Sequence, residues 1–241
     1  MSLDEAGGRH RWRWVLVLAG ALTVVVALAV GALGLSISSL FRVDRVVVTG
    51  THQLSSGDVV RLAGLAGGGN VFWLDVADIR RRLESDPWIA HASVTKSLRG
   101  TVAIAVKERT PVAAVDRSGA YELVAGDGTI LGTGDRPATL PVIDAGSETG
   151  SIAGPAGAVA ALAKPLRAQV VTVVMDGAGE LSLSLRSRVT VAYGPAVDAD
   201  QKGQALGEVL AWADRRGLEV ASVDVSAPSE PSIRLVGGGT P

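Results

Sequence analysis

Three histidines, a run of glycines and one turn aspartate are the positions where the residue types of this chain could carry chemistry. His52 falls in a turn after a β-branched stretch and His91 in an alternating one, while His10 precedes a long apolar segment. No H-E-x-x-H or comparable ligand spacing links them, so solvated or capping imidazoles are expected in place of a metal centre. The run Gly67-Gly68-Gly69-Asn70 invites comparison with a phosphate cradle, but no Lys-Ser or Lys-Thr follows, and it joins two helical stretches instead of leaving a strand. Gly and Asn take positive backbone angles cheaply, so the run reads as a turn. Asp127, in Gly-Asp-Gly, is one carboxylate where a calcium loop needs several. There is no G-x-S-x-G elbow, and the chain has no cysteine, which removes disulfides and thiolate metal sites. No catalytic residue, cofactor or metal is expected; the chain reads as a binding protein.

The elements that would position a binding surface begin with a membrane segment. Hydrophobic residues make up 47% of 241 and mean hydropathy is +0.33. The excess sits at 15–35, which are 21 uncharged residues, enough for a helix to cross about 30 Å of hydrocarbon. A cleaved signal peptide has a shorter apolar stretch, of about 7–15 residues, before its cleavage site. Arg9, Arg11 and Arg13 precede the run, interleaved with Trp12 and Trp14, and on the other side Arg42 and Arg45 are balanced by Asp44. The positive-inside rule then predicts a cytoplasmic N-terminus and an exported remainder. Trp12 and Trp14, with Val15 to Leu35 behind them, are the expected anchor. Net charge is −1, from 23 basic and 24 acidic residues, which gives no field for a polyanion and excludes nucleic acid as an expected partner.

After the anchor, residues 41–50 read as a strand, and Ser55 with Asp58 has the spacing of a capping box. Asp75 caps a second helix with Val76, Ile79 and Leu83 on one face, and Arg80, Arg81 and Arg82 pointing away as a possible docking face. Pro87 stops that helix. Alternation over 89–98 and 101–109 predicts a hairpin turning at Arg99-Gly100. The order is β-α-α-β-β. Beyond Pro111 come short strands with a Gly126-Asp127-Gly128 turn, an Ala-rich helical stretch at 156–168 broken by Pro165, and strands at 170–175, 181–185 and 189–193. A long helix at 199–216 and two last strands, at 219–225 and 232–236, complete the pattern. The expected class is α+β, the second part being a mixed, mostly antiparallel β domain with a long helix.

Several stretches carry a resemblance. They are Val43-Asp44-Arg45-Val46-Val47-Val48-Thr49-Gly50, Gly69-Asn70 followed by Leu74-Asp75, Arg82-Leu83, Pro87-Trp88-Ile89, and Glu108-Arg109-Thr110-Pro111-Val112-Ala113. Further on stand Leu140-Pro141-Val142-Ile143, Lys202 with Leu206 and Leu210, and Val223-Asp224-Val225-Ser226 before Pro228. In this order the chain resembles the FtsQ/DivIB cell division proteins, and its first exported unit resembles a POTRA domain. The hairpin Leu98-Arg99-Gly100-Thr101 departs from the family, which often has an aromatic residue and proline before the threonine.

The resemblance implies a domain plan of cytoplasmic tail 1–14, transmembrane helix 15–36, POTRA domain 41–110, β domain 111–236 and mobile tail 237–241. It implies a non-enzymatic single-pass protein of the plasma membrane at the division septum. Such a scaffold would bind FtsB/DivIC-type and FtsL-type partners, with FtsW and the septal transpeptidase as further candidates. The binding element would be the edge strand Ser232, Ile233, Arg234, Leu235 and Val236, to which a partner's extended segment adds. Two other readings compete: a membrane-anchored POTRA-type module that handles polypeptide or secretion, and an anchored cell-wall enzyme.

Overall fold

The computed structural model of the chain describes residues 6–36, 41–117, 119–135, 137–144 and 151–237, and it divides into two units, Met1–Glu108 and Arg109–Pro241. The expected mobile tail therefore falls, from residue 238 on, outside the described residues.

The first unit opens with α1 (Ala6–Ser36), a helix of 31 residues whose described aliphatic side chains, from Val15 to Val30, are all exposed. Among the described residues no helix is long and apolar enough to cross a membrane. In α1 the side chains at 6–13, 16, 32–33 and 35–36 lie outside what is described, which takes Trp12 and Leu35 of the expected anchor out of view.

Beyond α1, the β-α-α-β-β order holds: β1 (Arg45–Thr49), α2 (Ser56–Leu62), α3 (Val76–Glu84), β2 (Ile89–Ser97) and β3 (Thr101–Glu108). β3 lies between the other two strands, parallel to β1 and antiparallel to β2. The capping box forms as the spacing predicts: Asp58 N donates to Ser55 Oγ, and Ser55 N to the Asp58 carboxylate. Asp75 caps α3 by accepting from the amides of Ala77 and Asp78. Ile79 and Leu83 of α3 then drop onto Ile89, Val102 and Ile104 of the sheet, all nearly inaccessible. Each such side chain contributes roughly 1.5–3 kcal/mol by leaving water. The expected strand at 41–50 is shorter than its β-branched run, because Phe41 and Arg42 turn aside to meet Gly69, Asn70 and Val71. Trp88 is half-buried and stands outside the core; the fully buried neighbour is Ile89. Gly50, at φ +85°, ends β1 where a Cβ would sit 2.0 Å from the Val106 carbonyl oxygen, so a side chain there would separate β1 from β3.

The unit is closed at its end by one carboxylate. Glu108 accepts from the backbone amides of His52 (3.0 Å), Gln53 (2.8 Å) and Leu54 (3.0 Å), tying the β1–α2 loop to the end of β3.

The second unit holds a sheet of nine strands in the order β12-β11-β10-β9-β8-β7-β4-β5-β6. These are β4 (Pro111–Arg117), β5 (Ala120–Ala125), β6 (Ile130–Gly134), β7 (Val142–Asp144), β8 (Val170–Met175), β9 (Leu181–Leu185), β10 (Thr190–Gly194), β11 (Val220–Asp224) and β12 (Ser232–Leu235). The pairs β4/β7, β7/β8 and β10/β11 are parallel and the other five antiparallel, the mixed character that was expected. The sequence reading missed β4 as a strand: Val112 to Val115 are all buried, so it has no alternation to betray it. β6 begins at Ile130-Leu131 and runs on into Gly134.

Three helices complete this unit: α4 (Ala153–Ala161), α5 (Lys164–Arg167) and α6 (Ala199–Arg215). The Ala-rich stretch breaks at Leu162-Ala163, before Pro165, which occupies the first turn of α5 where a missing amide costs nothing. Gly203 lets α6 lie against α4, since a Cβ there would be 3.1 Å from the Ala161 carbonyl oxygen. Arg109 donates to Asp127 (2.7 Å) in the turn after β5, and that hydrogen bond comes first among the causes that hold the Asp127 carboxyl at about 2.

Partial burial pushes the Glu108 carboxyl up, but the amides of Gln53, Leu54 and His52 together outweigh it and hold the group below its ordinary 4.5. A carboxyl depressed by folding adds stability above its unfolded value and loses it as pH falls through the folded one. Glu108→Gln is therefore expected to cost about 1–3 kcal/mol at neutral pH, the scale of hydrogen bonds to a charged group. Denaturant melts from pH 7 to pH 3 should show that difference shrink below pH 4.5.

Candidate partner-binding site

The strand Ser232–Leu235 stands at one edge of the nine-stranded sheet with β11 as its single neighbour. Its approach is set by Pro228-Ser229-Glu230-Pro231, where Glu230 N donates to Ala227 O (3.1 Å), and by a turn in which Asp224 accepts from the amide and hydroxyl of Ser226. Val236 lies one residue past the strand, and its amide donates to Glu219 O (2.9 Å).

That bond fixes which backbone groups face outward. Amide and carbonyl directions alternate along a strand. Counting back from Val236, Arg234 and Ser232 turn toward β11, whereas Ile233 and Leu235 turn to the open side. The opposite count agrees: Val225 donates to Ala192 O toward β10 (2.9 Å), which makes Val223, the partner of Ile233, face β10 as well. The free donors and acceptors of the edge are thus those of Ile233 and Leu235. Their side chains are half-buried, Ile233 packing on the core, and those of Ser232 and Arg234 are exposed on the other face.

Beside this edge runs a groove of about 1000 Å³ between β12 and α6, lined by Gly207, Ala211, Trp212, Arg215, Pro231 and Ile233 among others. Gly207 lies mid-helix with nothing within 4 Å of where its Cβ would be, so it leaves a notch at a helix-propensity cost of about 1 kcal/mol. Trp212 is half-buried under the Arg216 guanidinium, 4.3 Å from the ring centroid. The sequence reading singled out neither Gly207 nor Trp212; the signal available was a glycine inside an otherwise strong helical pattern.

Under α6, Lys202 is 1% exposed and donates to Pro195 O (2.7 Å), with its ammonium 5.3 Å from the Tyr193 ring centroid. Tyr193 donates to Ala199 O (3.0 Å), and burial first, then Asp200, pushes its hydroxyl up to about 12. This pair fastens the start of α6 to β10 and is structural.

The remaining candidates are dispersed. Arg81 and Arg82 both pair with Asp78, and Arg80 lies 4.0 Å from Glu84, so the basic face of α3 is a mesh of exposed ion pairs of small individual value. His91 Nδ1 is 3.0 Å from Glu84, and His52 engages Glu108 through its amide alone, far from any shared ligand set. Among the described residues no group of three His, Cys, Asp or Glu can hold a metal. One S-x-x-K run is present, Ser93-Val94-Thr95-Lys96 on β2, but residues three apart on a strand face opposite ways, and Lys96 donates to the carbonyls of Phe72 and Leu74. It makes no nucleophile and base pair. Trp14 and Val15 are exposed on α1.

Residues 41–109 match the family model described as POTRA domain, FtsQ-type, which defines the class: a protein with an FtsQ-type POTRA domain followed by a nine-stranded mixed domain. Similarity to cell division protein FtsQ extends further. The protein of that name from Streptomyces bingchenggensis is 27% identical over 92% of this chain and 86% of its own length, and that from Mycobacteroides abscessus is 26% identical over 88% and 69%. The Bradyrhizobium diazoefficiens protein is 33% identical over 39% of this chain and 28% of its own length, so this chain spans well under half of that relative. The solved extracytoplasmic domain of the cell division protein DivIB from Geobacillus stearothermophilus covers 45% of this chain at 17% identity with a TM-score of 0.37. The chain is thus similar to cell division proteins named FtsQ over most of its length, with the FtsQ-type POTRA match confined to residues 41–109.

The packing of Lys202 yields a prediction that leaves the edge untouched. Lys202→Ala should lower stability by about 2–4 kcal/mol, since it opens a cavity and orphans the Pro195 carbonyl. Lys202→Met, which keeps the volume, should cost less, and urea denaturation of both variants measures the order.

Proposed function

We propose that this chain is a non-enzymatic scaffold of the cell-division machinery, held in the plasma membrane at the septum by one helix. Its exported domains gather FtsB/DivIC-type and FtsL-type partners and couple their assembly to septal peptidoglycan synthesis, with FtsW and the septal transpeptidase as more distant associates. Similarity to the FtsQ proteins supports the division role, and the observation that carries the binding mode is the open edge of β12.

The domain plan of this reading is a cytoplasmic tail at 1–14, a span at 15–36, the POTRA domain at 41–110 and the β domain at 111–236. A helix of 31 residues with every described aliphatic side chain exposed has no protein core to enter, which favours lipid as its surroundings. At 1.5 Å per residue, the 21-residue uncharged run measures about 31 Å, close to the hydrocarbon thickness. Arginines before that run orient the N-terminus to the cytoplasm.

A partner strand would take the outward amides and carbonyls of Ile233 and Leu235. Its alternate side chains would fall beside Gly207 and Trp212 in the groove, while Arg234, on the other face, meets acidic side chains. Arg80, Arg81 and Arg82 offer a second, weaker docking face once a partner's carboxylates compete for them. The secretion or polypeptide-handling alternative gains no observation of its own in the single β-α-α-β-β unit.

Ile233→Pro removes an outward amide without touching the ladder to β11. It should weaken capture of the FtsB/DivIC-type partner's extracytoplasmic segment about tenfold to a hundredfold, the equivalent of one lost hydrogen bond and a clash. A folded variant that binds normally would sink the edge mechanism. Gly207→Leu fills the notch, and should raise thermal stability while reducing the same capture. Depletion in a native host should give undivided filaments, and normal septation would refute the division role.

A further inference from the structure

The aromatic residues of this chain are distributed unevenly. Of nine in total (five Trp, two Phe and two Tyr), Trp12 and Trp14 precede the uncharged run, and Phe41, Phe72 and Trp73 come together after it. Both phenylalanines of the chain are therefore in one cluster. The rings of Phe41 and Phe72 lie 6.0 Å apart, and those of Phe72 and Trp73 lie 5.1 Å apart, edge to face. Phe72 is 48% and Trp73 59% exposed, so the cluster faces outward instead of entering the core of the unit.

The loop that carries it is preformed. Val71 N donates to Phe41 O (2.7 Å) and Val43 N to Gly69 O (2.8 Å), joining the loop to the chain entering β1. Asn70 Oδ1 accepts from Phe72 N (2.9 Å), and Lys96 donates to the carbonyls of Phe72 (3.1 Å) and Leu74 (2.7 Å). The β2–β3 hairpin reaches the same end: the amides of Asp44 and Arg45 donate to Gly100 O, and beside that glycine Leu98 is 61% exposed. One end of the POTRA unit thus presents Phe72, Trp73 and Leu98 with the exposed cations Arg42, Arg45 and Arg99, against two carboxylates, Asp44 and the α3 cap Asp75, the latter beside Lys96.

That end is also the one tethered to α1. Phe41 follows Ser36 by five residues, and a chain extends no more than about 3.6 Å per residue, so the two Cα atoms lie within about 18 Å of each other however the link runs. Exposed aromatic rings next to cations, this near the end of an apolar helix, match the composition of a membrane interface, where rings sit at headgroup depth and arginines meet phosphates.

We propose that this end of the POTRA unit docks on the outer surface of the bilayer, with Phe72, Trp73 and Leu98 entering the headgroup region and Arg42, Arg45 and Arg99 engaging anionic phospholipid. The inference rests on the reading of α1 as a membrane span. Docking at a second point restricts how the unit swings on its short tether. It also sets Glu108, at the opposite end of β3 from Thr101, away from the bilayer.

The chain has no cysteine, so single nitroxide labels can be placed in the full chain reconstituted in nanodiscs of phosphatidylcholine, with and without phosphatidylglycerol. Labels go at Leu98→Cys, at Ala27→Cys within α1, and at His52→Cys beyond the far end of β1. Depth is read from relative accessibility to oxygen and to a nickel chelate, with thermal melts confirming that each variant folds. We expect Leu98→Cys to report headgroup depth, deeper with phosphatidylglycerol, His52→Cys to report water, and Ala27→Cys to report hydrocarbon. A double Phe72→Ser, Trp73→Ser background should return the Leu98→Cys label to water. If Ala27→Cys reports hydrocarbon while Leu98→Cys stays aqueous in both lipids, the docking is overturned and the anchor stands. An aqueous Ala27→Cys overturns both. Protection of Leu98→Cys that appears only on adding a division partner's extracytoplasmic segment makes the patch a protein contact and overturns the lipid assignment.

Discussion

Two consecutive side chains of opposite charge hold the ends of the two units. Glu108 closes the first by gathering three amides of the β1–α2 loop, and Arg109 begins the second by reaching the turn after β5 at Asp127. Neither interaction is a deep-core contact; each is a charged group satisfied by fixed partners, which makes it directional where hydrophobic packing is not. The order of the chain around the junction follows from them: β3 ends when its last side chain turns back to the loop, and β4 starts at Pro111, which has no amide for a ladder to require.

The second unit manages its edges unequally. At one side β6 ends in Gly132, Thr133 and Gly134, a thin border with little side chain to grip. At the other, β12 places Ile233 and Leu235 toward the core side and Ser232 and Arg234 toward solvent, with a groove alongside. An exposed edge is an aggregation hazard unless it is short, charged or covered. β12 is four residues long and carries an arginine, so it is protected against promiscuous pairing while leaving two residues' worth of backbone free.

Much of this was legible in the sequence because the signals were local. The Ser55 and Asp58 box, the Asp75 cap, the hairpin at Gly100 and the alternating strands each depend on neighbours a few residues away, and each appears where its spacing put it. What was illegible depended on distant contacts. β4 is buried on both faces, and so shows no period; its pairing with β7 is parallel and needs a crossover that no short window reveals. Trp88 is the larger side chain of its pair, yet the register of β2 gives the core place to Ile89. The open edge was legible as an expectation from resemblance, but which of its amides point outward required the bonds of Val225 and Val236. The notch at Gly207 and the aromatic cluster at Phe41, Phe72 and Trp73 arise from segments brought together only in the fold.

The position of β12 in the order of the sheet bears on how the chain matures. A chain is made and moved from its N-terminus onward, and β12 follows all eight of the strands with which it shares a sheet. β1 likewise waits for β3, whose Thr101 pairs with Arg45 across an intervening 55 residues. Each unit is therefore closed by a strand that arrives late, and the edge that partners would grip does not exist on a nascent or truncated chain. Recognition at that edge would select finished molecules, so that assembly itself acts as an inspection of whether folding is complete.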